Sequence, residues 1–333
     1  MNTIGSAAES VREPARSPGL IERAITSCLP LWPQLADGRA TLINLSENHT
    51  FRIDGPEGQR HILRLHRPGY HTRDAIRSEL DWLQALRAEG GMPVPRPLPG
   101  NDGQFIQQVS ASGISERFAV LFAFEEGSEP QVHDRLEPLF ETLGGYAARN
   151  HLHAAGYESA DVVRPRWDES VLDPDGIWGD WRKAPGADAV RDVLDRLDTR
   201  LRSDLAAYGK GRERFGLIHA DMRLANLLVD GERVALIDFD DCGFGWFAYD
   251  FAAAVSFIDD QDVLPGLKAA WLRGYARHRA LAPEDIAAMD TLVLMRRMLL
   301  LAWTGTHAET DLARSQAHLA QLTAELGEAY LNQ

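Results

Sequence analysis

The chain has 333 residues, of which 44% are hydrophobic and 25% are charged, a composition typical of a globular protein large enough for two lobes with separate cores. Lys and Arg total 35 and Asp and Glu total 49, so the net charge is −14. This acidic balance argues against nucleic acid and membrane lipid as partners, because both carry negative charge. It favours a cationic substrate to a modest degree, although an acidic composition is also ordinary for a cytosolic protein.

The two cysteines, Cys28 and Cys242, form neither a disulfide framework nor a metal-ligand spacing. The N-terminal residues lack the apolar segment of a signal peptide. The longest strongly apolar stretch, residues 295–303, is much shorter than the about 20 residues that cross a bilayer. These features predict a cytoplasmic protein without a membrane anchor.

In chain order, the first third of the sequence is predicted to be mostly β. Residues 1–18 are rich in Ser, Ala, Pro, Glu and Arg and are predicted to form a disordered tail, followed by a short helix over 20–29. A second, amphipathic helix is predicted over 72–89, where apolar residues recur at helical spacing. The alternating or apolar segments that predict strands are 40–45, 49–53, 61–65, 104–109 and 117–124.

After residue 124 the pattern becomes mostly helical. Helices are predicted over 136–153 and 187–208, with an insertion rich in Trp and Asp between them at 166–182. Short strands over 215–218, 227–229 and 234–237 surround a loop. The sequence therefore predicts a first lobe of strands with one long helix, residues 19–126, and a mostly helical second lobe, residues 127–333.

The most informative segment is LIHADMRLANLLVDGERVALIDFDD, residues 217–241. An apolar strand leads into a loop with Asp221, Asn226 follows, and a hairpin returns the chain to Asp238, so the three side chains are expected to converge at the hairpin base. Phosphoryl transfer needs such a grouping, because a carboxylate must orient the attacking hydroxyl and oxygen ligands must hold Mg²⁺. Asp and Asn also stabilise turns, which explains each residue alone but not the ordered set.

HADMRLAN followed by IDFDD resembles the catalytic and metal-binding segments of the aminoglycoside phosphotransferase and choline kinase-like family, which includes homoserine kinase-like and bacterial stress-response kinase-like members. The resemblance implies an α+β, bilobal, protein-kinase-like fold, with an antiparallel-sheet N-lobe that binds the nucleotide and a mostly helical C-lobe that carries the catalytic and substrate residues. It implies that Asp221 is the catalytic base, that Asn226 and Asp238 bind Mg²⁺, and that ATP is the phosphate donor. His219 is then expected to tie the catalytic loop to the metal-binding turn, and Asp250 to brace that loop from a helix start.

The N-terminal half resembles the same family in its nucleotide-binding segments. HILRLHRP places Arg64 where the family has a phosphate-binding Lys or Arg, and Glu79 in SELDWL is positioned to pair with it. Arg in place of Lys still allows bidentate binding of phosphate oxygens. The turn NLSENH lacks a glycine-rich loop, so Ser46 or backbone amides are expected to contact phosphate, with a plain hairpin turn as the alternative. VLFAFEEG resembles the segment that links the lobes, where backbone groups around Phe124 and Glu125 would bind adenine.

The acceptor is predicted to be a small molecule with a hydroxyl group. Ala220 replaces the Arg by which many protein kinases sense a phosphorylated activation loop, and the segment after Asp238 is too short for such a loop. An amino alcohol, an aminoglycoside-like compound, a sugar or homoserine fits this reading. The alternatives are a protein Ser/Thr kinase of the bacterial stress-response type and a nucleotide-binding pseudokinase scaffold. The sequence leaves the oligomeric state open.

Three features are candidates for substrate contact. Trp167 belongs to the aromatic and acidic insertion, which either binds an ammonium group or packs onto the lobe. Asp240, close to the predicted metal site, is a further ligand, a substrate contact or a turn former. Arg296 and Arg297, on an apolar helix, either meet a substrate carboxylate or pair with surface acids.

Overall fold

The computed structural model describes residues 18–35, 37–45, 48–90, 92–111, 114–132, 135–157, 161–308, 311–316 and 318–333. The chain divides into two compact units. Unit 1 extends to Arg73 and includes Pro97–Phe124, and unit 2 comprises Asp74–Arg96 and Glu125–Gln333. The division after Phe124 lies close to the predicted lobe boundary at residue 126, but the helix predicted over 72–89 groups with unit 2. The predicted tail lies outside the described residues except for Pro18.

Unit 1 is built on a six-stranded antiparallel sheet of strand order β1-β2-β3-β6-β4, in which β5 also pairs with β6. Its strands are β1 (Arg39–Leu45), β2 (His49–Asp54), β3 (Arg60–Leu65), β4 (Pro97–Leu98), β5 (Ile106–Ala111) and β6 (Ile114–Ala123). Five of them match the predicted strands. The sequence pattern missed β4 because two residues are too few to show an alternation.

The core of unit 1 lies between this sheet and α1 (Pro18–Cys28). Leu63 and Leu65 on β3 point into that core, together with Leu121 on β6. Successive side chains of a strand point to opposite faces, so Arg64 lies on the other face of the sheet. There its guanidinium lies 5.1 Å from the ring centre of Phe122.

Unit 2 is mostly helical. Its helices are α2 (Arg73–Gly90), α3 (Leu136–Gly156), α4 (Arg191–Tyr208), α5 (Tyr249–Ala254), α6 (Leu264–Ala276), α7 (Pro283–Thr306), α8 (Asp311–Ser315) and α9 (Leu319–Leu331). The helix predicted from residue 187 begins as a 3₁₀ turn, Ala187–Val190. None of the helices in the described part of the chain combines the length and apolar character that crossing a bilayer requires.

Two small sheets in unit 2 position the polar segment at residues 217–241. The first is the predicted hairpin, with β9 (Leu227–Asp230) antiparallel to β10 (Arg233–Leu236). In the second, β11 (Gly243–Trp246) pairs with β8 (Phe215–Ile218) on one side and β7 (Arg166–Trp167) on the other. The loop after β8 is therefore held between a sheet and a hairpin.

Helices α3 and α6 approach so closely that only glycine fits at their contact. A Cβ atom on Gly274 would lie 1.7 Å from the carbonyl oxygen of Glu141, and one on Gly144 would lie 2.1 Å from that of Trp271. The absence of a side chain lets the two backbones meet. This contact brings Tyr275, the residue after Gly274, against α3.

We expect Gly274→Ala to lower the free energy of unfolding by about 1–3 kcal/mol, the usual cost of overpacking. The reason is that helix α6 must move away from α3. Urea unfolding followed by circular dichroism measures this. The control is Gly156→Ala at the end of α3, where a Cβ atom meets nothing within 4 Å and the expected change is within about 0.5 kcal/mol. Equal stability of the two variants would contradict the prediction.

Candidate active site

The loop that follows β8 is strained and is held by one buried carboxylate. Ala220 has φ of 68°, a left-handed conformation that costs a residue other than glycine of order 1–3 kcal/mol. The backbone N–H of Ala220 donates to Asp250 Oδ1 at 2.7 Å, and that of His219 donates to Asp250 Oδ2 at 3.2 Å. Asp250 lies in the first turn of α5, so this helix braces the loop that presents Asp221.

Asp250 is held in turn by His151 on α3. His151 Nε2 lies 3.0 Å from Asp250 Oδ2, and Nδ1 lies 2.9 Å from the hydroxyl of Tyr275 on α6. A carboxylate only accepts hydrogen bonds, so Nε2 carries the proton and Nδ1 accepts from the tyrosine. His151 and Tyr275 were not predicted from the sequence, because neither side chain gives any local sign of a partner that lies far along the chain.

His219 links the loop to the segment before Asp238. The backbone N–H of Asp221 donates to His219 Nδ1 at 3.1 Å, which leaves the proton on Nε2 to be donated to the carbonyl oxygen of Ile237 at 3.1 Å. Burial lowers the pKa of His219, which keeps the ring neutral. Its placement fits the predicted structural tie.

The segments that carry Asn226 and Asp238 are joined at the base of the hairpin. Asn226 Nδ2 donates to the backbone oxygen of Asp221 at 2.8 Å and to Asp221 Oδ2 at 2.7 Å. The backbone oxygen of Asn226 accepts from the N–H of Ile237 at 2.9 Å, which sets Asp238 beside the loop. Asp238 has φ of 61°. Hydrogen bonds therefore join the chain segments that carry the three residues that the sequence predicts to do the chemistry.

Two arginines surround the carboxylate of Asp221. Arg223 Nε donates to Oδ2 at 3.1 Å, and Arg296 Nη2, from helix α7, donates to Oδ1 at 2.5 Å. Burial by itself would raise the pKa of Asp221, but the charges of Arg223 and Arg296 outweigh it and hold the pKa below its ordinary value. Arg296 is 2% exposed, and its partner Asp221 is also buried. Arg296 therefore does not pair with a surface acid, which was one of the two alternatives expected from the sequence.

Another buried arginine, Arg164, fixes the segment after Asp238. Its guanidinium donates to the backbone oxygens of Asp240, of Cys242 at 2.5 Å, and of Ala75 on α2 at 3.1 Å. Glu79, also buried on α2, lies close enough for its charge to act on Arg164 and His219. Arg164 was not predicted as a buried residue, because nothing in the segment VVRPRW distinguishes it from a surface arginine.

The candidate substrate residues lie inside unit 2. Trp167 is fully buried, and its N–H donates to the backbone oxygen of Asp241 at 2.7 Å. Asp240 is also buried. Substrate contact stays a prediction for both, and the burial of Trp167 favours the alternative in which the tryptophans pack the insertion.

The predicted nucleotide-binding residues are distributed over both units. In unit 1, Arg64 is buried on β3, and Phe124 has the guanidinium of Arg60 4.2 Å from its ring centre. In unit 2, Glu125 pairs with Arg233. Ser46 lies outside the described residues. Their roles, and the pairing of Arg64 with Glu79, stay predictions.

The oxygen atoms at the hairpin base fit Mg²⁺. Both side-chain contacts of Asn226 to Asp221 use Nδ2, so Oδ1 is the atom left for a metal, and Asp238 adds a carboxylate. In the described part of the chain, no three His, Cys, Asp or Glu side chains group as a metal site. This is compatible with Mg²⁺, which typically binds one or two carboxylates and completes its coordination with water and substrate phosphates.

This chain is similar to known phosphotransferases in both sequence and structure. A sequence profile described as "Phosphotransferase enzyme family" matches residues 39–281. The structure of the microcompartment-associated aminopropanol kinase is 37% identical, covers 94% of this chain and 97% of its own, and has a TM-score of 0.85. Amicoumacin kinase from Bacillus subtilis (strain 168) is 26% identical over 266 residues, which are 77% of this chain and 76% of that protein.

A second solved structure, amicoumacin kinase hAmiN in complex with AMP-PNP, Ca²⁺ and Ami, is 20% identical and has a TM-score of 0.77, covering 95% of this chain and 94% of its own. At this identity the match bears on the fold alone. Together with the aminopropanol kinase structure, it confirms the predicted kinase-like fold with an antiparallel sheet followed by helices.

The bracing histidine predicts how stability depends on pH. Burial lowers the pKa of His151 from 6.5, so the stability that depends on its neutral form is present above about pH 6.5 and is lost as pH falls. His151→Gln removes this titration. We expect its free energy of unfolding to fall less steeply than that of the wild type between about pH 6.5 and 5, by up to about 1.4 kcal/mol per pH unit.

Urea unfolding at a series of pH values measures both slopes. His318→Gln, at an exposed position, is the matched control and should keep the wild-type slope. A His151→Gln slope equal to that of the wild type would show that His151 is not held neutral by its buried site.

Proposed function

Because the chain belongs to the phosphotransferase enzyme family, we propose that it transfers the γ-phosphoryl group of ATP to a hydroxyl group of a small molecule, with an amino alcohol as the leading candidate. Membership in this family confirms the predicted enzyme class, a kinase or phosphotransferase.

One observation carries the proposal. Asp221, Asn226 and Asp238 come from a loop and the two sides of a hairpin, and buried hydrogen bonds join the segments that hold them. Phosphoryl transfer depends on positioning and on charge neutralisation far more than on covalent chemistry by the protein. A carboxylate, an amide oxygen and a second carboxylate at one place supply these two functions.

In the proposed step, the acceptor hydroxyl donates a hydrogen bond to the carboxylate of Asp221. The hydroxyl oxygen bonds to the γ-phosphorus while the bond from that phosphorus to the bridging oxygen breaks, and ADP leaves with the electron pair. The hydroxyl proton passes to Asp221. The lowered pKa keeps Asp221 ionised, so its main contribution is to orient the hydroxyl.

Asn226 and Asp238 would hold Mg²⁺, which when bound neutralises charge on the phosphate oxygens. In unit 1, the buried guanidinium of Arg64 is the proposed phosphate-binding group. Backbone groups around Phe124 and Glu125 remain the proposed adenine contacts.

The acceptor is proposed from the relatives and from charge. The aminopropanol kinase is 37% identical over 94% of this chain, and its name specifies an amino alcohol. The net charge of −14 suits an acceptor with an ammonium group. Both amicoumacin kinase and aminopropanol kinase are named for small molecules, which favours a small molecule over a protein Ser or Thr residue.

The experiment is to measure ATP consumption by the purified protein with Mg²⁺ against amino alcohols, homoserine, sugars and aminoglycosides. Acceptor-dependent ADP release, with the product identified by mass spectrometry, would support the proposal. Phosphate transfer to protein Ser or Thr and to no small molecule would favour the protein-kinase alternative. ATP binding without transfer to any acceptor would favour the scaffold.

We expect Asp221→Asn and Asp238→Asn each to lower kcat by about 10²–10⁴-fold. This is the usual effect of removing a group that moves a proton or binds a metal. Asn is preferred to Ala at Asp221, because its amide oxygen can still accept a hydrogen bond from the buried guanidinium of Arg296. Asp230→Asn, at the exposed end of β9, is the control and should keep wild-type turnover. Normal turnover by Asp221→Asn would reject the site.

A further inference from the structure

The carboxylate of Asp221 is held from three directions. Oδ1 accepts from Arg296 at 2.5 Å, while Oδ2 accepts from Asn226 at 2.7 Å and from Arg223 at 3.1 Å. A carboxylate offers about four lone-pair positions, two on each oxygen. With the donors of the described residues, both positions of Oδ2 are in use, and the remaining position belongs to Oδ1, beside Arg296.

Arg296 is itself fixed by its surroundings. Its Nε donates to Ser256 Oγ at 3.1 Å, and Nη1 reaches the hydroxyl of Tyr249 at 3.3 Å and the backbone oxygen of Ala220 at 3.4 Å. The ring of Trp178 lies 5.0 Å from the guanidinium carbon. With 2% of its surface exposed, Arg296 is enclosed by these contacts.

The two arginines on Asp221 differ in this respect. The side chain of Arg223 is 28% exposed, whereas that of Arg296 is 3% exposed. An exposed arginine exchanges its partner for water at little cost, but a buried one retains it because an unpaired buried charge is strongly unfavourable. The orientation of the carboxylate thus depends on Arg296 more than on Arg223.

We propose that Arg296 is a positioning residue for the transfer reaction: it fixes the Asp221 carboxylate so that one lone pair of Oδ1 is open to the acceptor hydroxyl. This inference rests on the proposed function. Arg296 acts through Asp221 and the backbone of Ala220, and its role is to set the direction from which the hydroxyl is received. Misplacement of a reacting group by about 1 Å costs about 100-fold in rate.

The adjacent residue provides a matched control. Arg297 lies on the same helix and is also 2% exposed. It pairs with a buried acid, Asp259, at 2.7 Å, and contacts Thr323 at 3.3 Å. Neither Asp259 nor Thr323 belongs to the loop that carries Asp221, so we expect the loss of Arg297 to affect stability without changing that carboxylate.

The experiment compares Arg296→Met and Arg297→Met in the full-length protein, by steady-state kinetics with ATP and the best acceptor of the panel. We expect both variants to lose thermal stability. Arg296→Met should lose about 100-fold in kcat, with KM for ATP within about threefold, while Arg297→Met should keep kcat within about threefold. Arg296→Lys, which restores a cation but not the two-pronged geometry, should recover part of kcat.

Two kinetic results would overturn the inference. The first is an equal loss of kcat in Arg296→Met and Arg297→Met, which would mean that Arg296 acts only through the fold. The second is a rise in KM for ATP with kcat unchanged in Arg296→Met, which would assign Arg296 to nucleotide binding. If the Met variants do not fold, Arg296→Lys and Arg297→Lys give the same comparison.

A double-mutant cycle on stability separates this inference from the proposed function, because it needs no turnover. If Arg296 holds Asp221, Arg296→Met should lower the melting temperature less in an Asp221→Asn background than in the wild type. Equal losses in both backgrounds would overturn the inference. A wild type that consumes no ATP with any acceptor would reject the proposed function, while the cycle would still decide whether the two residues are coupled.

Discussion

The geometry of the candidate active site depends on the buried carboxylate of Asp250. Its two oxygens accept the backbone N–H groups of His219 and Ala220, and Ala220 adopts a left-handed conformation that is unfavourable for alanine. The two hydrogen bonds to a charged acceptor, each worth about 1.5–3 kcal/mol, offset that strain. Without them the chain would relax, and Asp221, the next residue, would change direction.

The support for Asp250 comes from the packing of the helices. His151 on α3 and Tyr275 on α6 form a buried hydrogen-bonded chain to the carboxylate, and the close approach of these helices at Gly144 and Gly274 places the two rings together. Fully satisfied buried polar networks specify one arrangement, because every alternative leaves a donor or acceptor unpaired. A contact between two backbones in the helical core is thereby connected to the position of Asp221.

Among its described residues, the interior of unit 2 also contains three buried arginines with separate partners. Arg164 binds backbone oxygens after Asp238, Arg296 binds Asp221, and Arg297 binds Asp259. Charges are costly to bury, and such pairs contribute little net stability relative to apolar side chains. The arrangement is better explained by specificity at Asp221 and around Asp238, since a paired guanidinium holds its partner in one orientation.

The sequence by itself predicted five of the six strands of unit 1, the hairpin in unit 2, and three polar residues on the segments that meet at its base. Those features depend on local patterns: the apolar strand before Asp221, the Asp-Gly turn after β9, and the short spacing from Asp221 to Asn226. Only the tertiary structure decided which residues support them. His151, Arg164 and Arg296 lie far along the chain from their partners, with 99, 76 and 75 residues separating them from Asp250, Asp240 and Asp221. A side chain's burial and its distant partner follow from packing, and a single sequence carries no local signal for either.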